Sequence, residues 1–145
     1  MKIKVKDRIF NIVENYDDVE NFYSYKAMHG EVEMGYINFK DTSIYGKRCF
    51  WLYKIDVNEN FQHQGVGQAL LYAMEYTAIV KRVFKIMGKF YPTNEYAKPF
   101  YIKNGYEIYP EDNWELEKLL DFNKVKSESE NYLINEKVAN EDRIQ

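Results

Sequence analysis

The most restrictive feature of this chain is a change of period in its middle. Cys49 to Val57, CFWLYKIDV, is a nearly continuous apolar run. After the polar stretch NENFQHQ, the apolar residues fall at Val66, Ala69, Leu70, Ala73, Met74, Thr77 and Val80. The run predicts a strand covered on both faces. The later spacing of i, i+3, i+4, i+7 predicts an amphipathic helix ending near Val80 or Lys81. The next strand is then VFKIMGKFY, and the order strand–helix–strand points to a mixed α/β domain with one sheet.

The junction FQHQGVGQALL carries two glycines, Gly65 and Gly67, where that helix opens. Each costs a helix roughly 0.8–1.0 kcal/mol relative to alanine. One reading is an anion site. A helix N-terminus presents unpaired N–H groups and partial positive charge, and glycines let a phosphate reach the main chain. The other reading is a tight strand-to-helix turn and nothing more. The stretch is not a Walker loop, since no Gly-Lys-Ser/Thr follows, and Leu70 stands where a dinucleotide fingerprint needs its third glycine.

Before the junction the chain reads as β-rich over residues 1–57. KIKV, RIFNIVE and NFYSYKAM are strand candidates, and His29-Gly30 offers a turn. EVEMGYINFK then alternates, burying either Val32, Met34 and Tyr36 or the opposite set. DTSIYGKR connects it to the apolar run. After the junction, EYAKPFYIK predicts a short helix closed by Asn104-Gly105, with Gly105 suited to the left-handed position past its end. YEIY is a further strand. PEDNWELEKLLDF, with proline and acids first and apolar Trp114, Leu116, Leu119 and Leu120, predicts a helix. ENYLIN offers a last strand before a polar tail.

Composition narrows the class. At 145 residues, 46% hydrophobic and 30% charged, the chain suits one globular domain rather than a disordered segment. No apolar run approaches the ~18 residues of a membrane span, and the N-terminus lacks a secretory pattern. A lone Cys49 excludes an internal disulfide and fits a reducing, cytoplasmic location. The net charge of −3 gives no basis for nucleic-acid or anionic-membrane binding. No His, Cys, Asp and Glu cluster has metal-ligand spacing, so no metal is expected.

Two motifs in order decide between the readings of the glycines. Gln62-x-x-Gly65-x-Gly67 follows LYKIDV, and NEYAKPFYIKNGYEI carries Asn94, Ala97, Phe100, Tyr101, Gly105 and Tyr106. Together they resemble the GNAT superfamily of acetyl-CoA-dependent N-acetyltransferases over about residues 49–108. The first is similar to its pyrophosphate loop and the second to its N-x-x-A-x-x-F/L-Y-x-x-x-G-F/Y segment. The resemblance implies a single α/β domain over 1–145, with a mostly antiparallel mixed sheet, a splayed strand pair and flanking helices. It implies an acceptor-side half over 1–57, a CoA-binding half over 58–122, and a last strand and tail over 123–145.

It also implies roles. Main-chain amides of Gln62, His63, Gln64, Gly65, Val66 and Gly67 would bind the CoA pyrophosphate. The strand end from Ile55 to Val57 would pair with the pantetheine arm, Asn94 would hydrogen-bond it, and an N–H near Val57 would face the oxyanion. Tyr101 would protonate the departing thiolate, since a phenol near pKa ~10 can donate to a thiolate near ~8.5 at little cost. Read without the family, Asn94 caps the following helix and Tyr101 packs on the face of Ala97 and Asn104. His63 reads as a solvated loop residue.

Three features depart from the pattern. Pro99 requires the second helix to begin near Glu95 or Tyr96, or to kink. The helices that the family carries near its N-terminus are not visible in residues 14–30. No general base stands out. Trp51 and Tyr53 occupy the strand positions where a carboxylate or histidine often helps, and Asp56 should face away from Trp51, Tyr53 and Val57. Glu31 and Glu33 remain, acting through water. The sequence thus predicts an acetyltransferase acting on a small-molecule or protein amine. Its competitors are an acyl-CoA-binding sensor without turnover and a structural domain whose loop binds nothing. Trp51 and Tyr53 either line an acceptor pocket or belong to the core.

Overall fold

A computed structural model of the chain describes residues 1–91 and 95–121. Eight strands form one sheet in the order β1-β2-β3-β4-β5-β6-β8-β7. They are β1 (Lys2–Val5), β2 (Arg8–Asp17), β3 (Phe22–His29), β4 (Val32–Ile44), β5 (Lys47–Val57), β6 (Lys85–Lys89), β7 (Glu107–Tyr109) and β8 (Glu115–Leu119). Every neighbouring pair is antiparallel except β5 and β6. The parallel pair is the one joined through helix α1 (Val66–Val80), as a crossover requires. The predicted bounds of α1 hold.

Both helices lie on one face of the sheet. Lys118 shares that face with buried Leu116, and it reaches Glu75 of α1 and the carbonyl of Asn104 at the end of α2 (Ala97–Lys103). Ile3, Phe10, Ile12, Tyr25, Ile37, Phe39, Phe50 and Leu52 pack under α1 as the core. Among the described residues, no helix covers the opposite face of β1–β5, where Ile9, Val13 and Lys26 are exposed. Residues 14–30, where the family's helices would stand, are instead the end of β2, a turn and β3.

Two bulges correct the simple alternation read from the sequence. Ala27 pairs with Gly35 but Met28 with Glu33, so Met34 is an extra residue in β4. Neither alternate set is therefore buried whole: Met34 is inside, Val32 is exposed, and Ile37 and Phe39 carry the core onward. Likewise Asn38 pairs with Lys54 but Phe39 with Leu52, which makes Tyr53 the extra residue in β5. The phase reverses there. Asp56 consequently shares the face of Trp51 rather than opposing it, while still opposing Val57. The apolar run is also buried only at Cys49, Phe50 and Leu52, with Trp51 half-buried between them; Tyr53, Lys54 and Asp56 are exposed.

The helix expected over 110–122 is not formed. Pro110–Asp112 makes a single 3-10 turn, and Asn113 and Trp114 then take φ of 61° and 60°, which no right-handed helix accepts. The chain turns into β8, whose five residues pair with Lys85–Lys89. Leu116 is 0% exposed and Leu119 70%, the opposite of one shared helical stripe. Strand β6 needed a partner, and its edge won over local propensity. The shorter helix behaves as expected: α2 starts after Tyr96, so Pro99 falls in its first turn, where no N–H is required. Gly105 follows its end with φ of 87°. ENYLIN and the polar tail lie outside the described residues, as does Asn94.

Candidate active site

Strands β5 and β6 pair only from Phe50 to Leu52 against Ile86 to Gly88. Beyond that, β5 stays with β4 as far as Val57, while β6 stays with β8. The bulge at Tyr53 stands one residue past the last β5–β6 pair, and bulges bend the strand that carries them. The result is the splayed pair that the sequence resemblance implied. Ile55 and Val57 sit half-buried on the β5 side of the gap, both on the α1 face of the sheet.

Three separately predicted pieces meet at its mouth. A Cβ on Gly67 would lie 3.1 Å from Phe100 Cζ and 3.7 Å from Val57 Cγ2. The start of α1, the end of β5 and the middle of α2 are therefore in contact. Gly67 is a glycine because a ring lies over it. Gly65 is one for another reason: it caps α1 with φ of 89°, a conformation that costs an L side chain roughly 1–2 kcal/mol. No side chain caps this helix. Its first bonded amide is Ala69, donating to the Gly65 carbonyl at 3.0 Å, and helix geometry leaves the amides before it without intrahelical partners. A tight turn and a helix start with free main-chain amides are thus the same structure here.

The loop is held from both sides. Gln62 donates from Nε2 to the Val57 carbonyl at 3.3 Å, and its own amide turns back to the Glu59 carbonyl at 3.5 Å. His63 is exposed and takes φ of 63°. Gln64 donates to the Asn60 carbonyl at 3.3 Å and accepts from Arg8 Nη1 at 2.9 Å. Val66 is buried under the helix, so only its main chain is available. Arg8 is the residue that sequence reasoning missed. It stands 56 positions away, on a hairpin whose Val5 and Phe10 pack behind Gly65. The only signal in the sequence was its place in a basic N-terminal strand pair.

Tyr101 lies in α2 next to Phe100, half-buried, with its ring 5.5 Å from that of Phe100 and 5.7 Å from that of Tyr106. Burial pushes its pKa up to about 12. The phenol keeps its proton throughout the neutral range. Trp51 and Tyr53 belong to the uncovered face, where Tyr53 meets Phe22 with ring centroids 6.0 Å apart. They are neither core nor an enclosed pocket. Asp56 and Glu33 share that face, Glu31 is exposed in the preceding turn, and the Glu33 carbonyl accepts from Asn58 Nδ2. Among the described residues, no group of three His, Cys, Asp or Glu side chains converges. No helix among them is long and apolar enough to cross a membrane.

Comparison with known proteins agrees with this architecture. No curated protein sequence matches the chain. Among solved structures, the PaiA N-acetyltransferase of Thermoplasma acidophilum, in complex with coenzyme A, is 19% identical with a TM-score of 0.61. That match covers 68% of this chain and 61% of the other. An aminoglycoside acetyltransferase from an uncultured soil metagenomic sample, in complex with trehalose, is 25% identical with a TM-score of 0.54, covering 57% and 56%. The chain thus spans less than two thirds of either protein. A GNAT family acetyltransferase from Elizabethkingia anophelis, with acetyl-CoA bound, is 16% identical with a TM-score of 0.63, covering 77% and 98%. The family profile described as acetyltransferase (GNAT) domain matches residues 18–108, more than half the chain and both motifs. This chain belongs to the GNAT acetyltransferase family.

Proposed function

We propose that the chain moves the acetyl group of acetyl-CoA to a primary amine by direct transfer, with donor and acceptor bound together. The observation that carries this reading is the meeting of Val57, Gly67 and Phe100 at the mouth of the β5–β6 gap. It brings the strand end, the uncapped helix and the neighbour of Tyr101 to one place. In this reading the amides from His63 to Gly67 hold the pyrophosphate, with the Gln62 side chain fixing the loop to Val57. The edge of β5 from Ile55 to Val57 pairs with the pantetheine arm, and Asn94 contributes a hydrogen bond to it. The amine attacks the thioester carbonyl, the tetrahedral oxyanion is met by a strand N–H near Val57, and Tyr101 gives its proton to the leaving thiolate.

The raised pKa of Tyr101 bears on the last step. Donation from a phenol at about 12 to a thiolate whose ordinary conjugate acid lies near ~8.5 is uphill in water. The same apolar surroundings disfavour the thiolate and narrow the difference. The pyrophosphate loop opens on the helix side, so the acceptor is left the uncovered face with Phe22, Trp51 and Tyr53. An open face suits an amine presented by a protein as well as a free small amine. Trp51 and Tyr53, neither a good base at neutral pH, hold strand positions of that face, which also suits a module that binds acyl-CoA without turnover.

Thermal unfolding with and without acetyl-CoA tests both readings. Binding to the folded state raises the melting temperature, and about 100 times Kd stabilises by about 2.7 kcal/mol. No shift at saturation removes both. A shift followed by acetyl transfer to at least one member of a small-amine and peptide-amine panel supports the enzyme. A shift with no transfer to any member leaves the binding module.

A further inference from the structure

Helix α2 has only seven residues and none of them is fully buried. Isolated helices below about 12 residues are marginal in water, so the orientation of α2 must come from its neighbours. Phe100 on Gly67 holds its middle. Its C-terminal end rests on one side chain from β8. Lys118 Nζ donates to the carbonyl of Asn104 at 2.9 Å, forms an ion pair with Glu75 of α1, and lies 5.4 Å from the centre of the Tyr106 ring. The Lys118 side chain is 18% exposed and that of Glu75 6%.

This pairing explains two oddities. Gly67, Leu71 and Glu75 form a second stripe on α1, and the buried carboxylate at its far end takes its counter-charge from Lys118. Asn104 closes α2 with its Nδ2 on the Phe100 carbonyl at 2.8 Å, which leaves its own carbonyl to an outside donor. A cation at a helix C-terminus also meets the negative end of the helix dipole.

We propose that Lys118 is a positioning residue, a clamp that ties the last turn of α2 to α1 and so fixes the direction of Tyr101. It touches neither donor nor acceptor. The inference rests on Tyr101 acting as the proton donor in the proposed reaction. If the clamp sets that geometry, its loss lowers kcat while the KM for acetyl-CoA, set at the other end of α1, stays nearly unchanged. A merely structural ion pair gives a different pattern, since both of its partners would then matter equally and only for stability.

The test compares K118M, E75Q, the double variant E75M/K118M and Y101F, using acetyl-CoA and the best acceptor of the amine panel. K118M is expected to lose 10- to 100-fold in kcat with KM for acetyl-CoA within about threefold, as an interaction made only in the transition state requires. E75Q keeps an acceptor for Lys118 and the bond to Asn104, and is expected to hold kcat within about threefold. Replacing both charges by apolar side chains is often neutral or stabilising, so the double variant covers the case in which K118M fails to fold. A double variant with wild-type melting temperature and low kcat supports the clamp; wild-type kcat in that variant overturns it. Loss of activity in Y101F with full kcat in K118M or the double variant overturns the clamp alone. Full activity in Y101F overturns the proton-donor reading and the clamp with it.

Discussion

Arg8 donates from Nη1 to Oε1 of Gln64 at 2.9 Å, and so joins the N-terminal hairpin to the loop that opens α1. The guanidinium also lies 4.9 Å from the centre of the Phe10 ring. This sets a cation against the loop proposed to hold the pyrophosphate, in a chain whose overall charge is −3.

Arg8→Ala is therefore expected to weaken acetyl-CoA binding about 3- to 10-fold at low salt, or about 0.7–1.4 kcal/mol. The penalty should shrink toward 1 M salt, where the screening length falls to about 3 Å. Calorimetric titration at two ionic strengths checks it. Equal affinity for both proteins at low salt would remove Arg8 from the site.

The two glycines should fail differently. Gly65→Ala forces a side chain into a left-handed cap and is expected to cost roughly 1–2 kcal/mol in urea unfolding. Gly67→Ala gains helix propensity of roughly 0.8–1.0 kcal/mol but drives a methyl against the Phe100 ring. Those effects oppose each other in stability. Activity has no such offset, because the ring that must shift is on the helix of Tyr101. The variant is expected to unfold within about 1 kcal/mol of wild type and to lose acetyl transfer. Undiminished transfer would show that α2 tolerates displacement.

Alkaline unfolding reports on Tyr101. Its folded pKa is about 12, raised by burial from an ordinary 10.0, so the native state holds the proton that the unfolded state releases. The contribution is fully present below pH 10 and is lost as pH rises toward 12. Buried Tyr23 and Tyr106, also raised, add to the same loss. Tyr101→Phe removes one of these protons, so its stability should fall less steeply than wild type across that interval. Parallel slopes in denaturant titrations from pH 9.5 to 11.5 would contradict the burial of the phenol.

Much of the chain from Val66 to Gly105 was legible because its signals are local. The period of Val66 to Val80, the breaks at Gly65 and Gly105, and the position of Pro99 relative to a helix start are set by neighbours a few residues away. The faces of β4 and β5 were not. One extra residue at Met34 and one at Tyr53 reverse the phase of each strand, and a bulge leaves no mark in alternation until the partner strand is known. That is why alternation alone sets Asp56 opposite Trp51, although the two share a face.

The sequence by itself determined where the apolar run ends, where the main helix begins, and that two glycines stand between them. Only the tertiary structure decided that Glu115–Leu119 would be a strand, that Glu75 could be buried against Lys118, and that Arg8 would reach Gln64. The division has a physical cause. Helical period and left-handed glycines are fixed by backbone geometry within a turn. A sheet edge, a buried charge and a loop anchor take their energy from residues tens of positions away, and their sequence records only half of each pair.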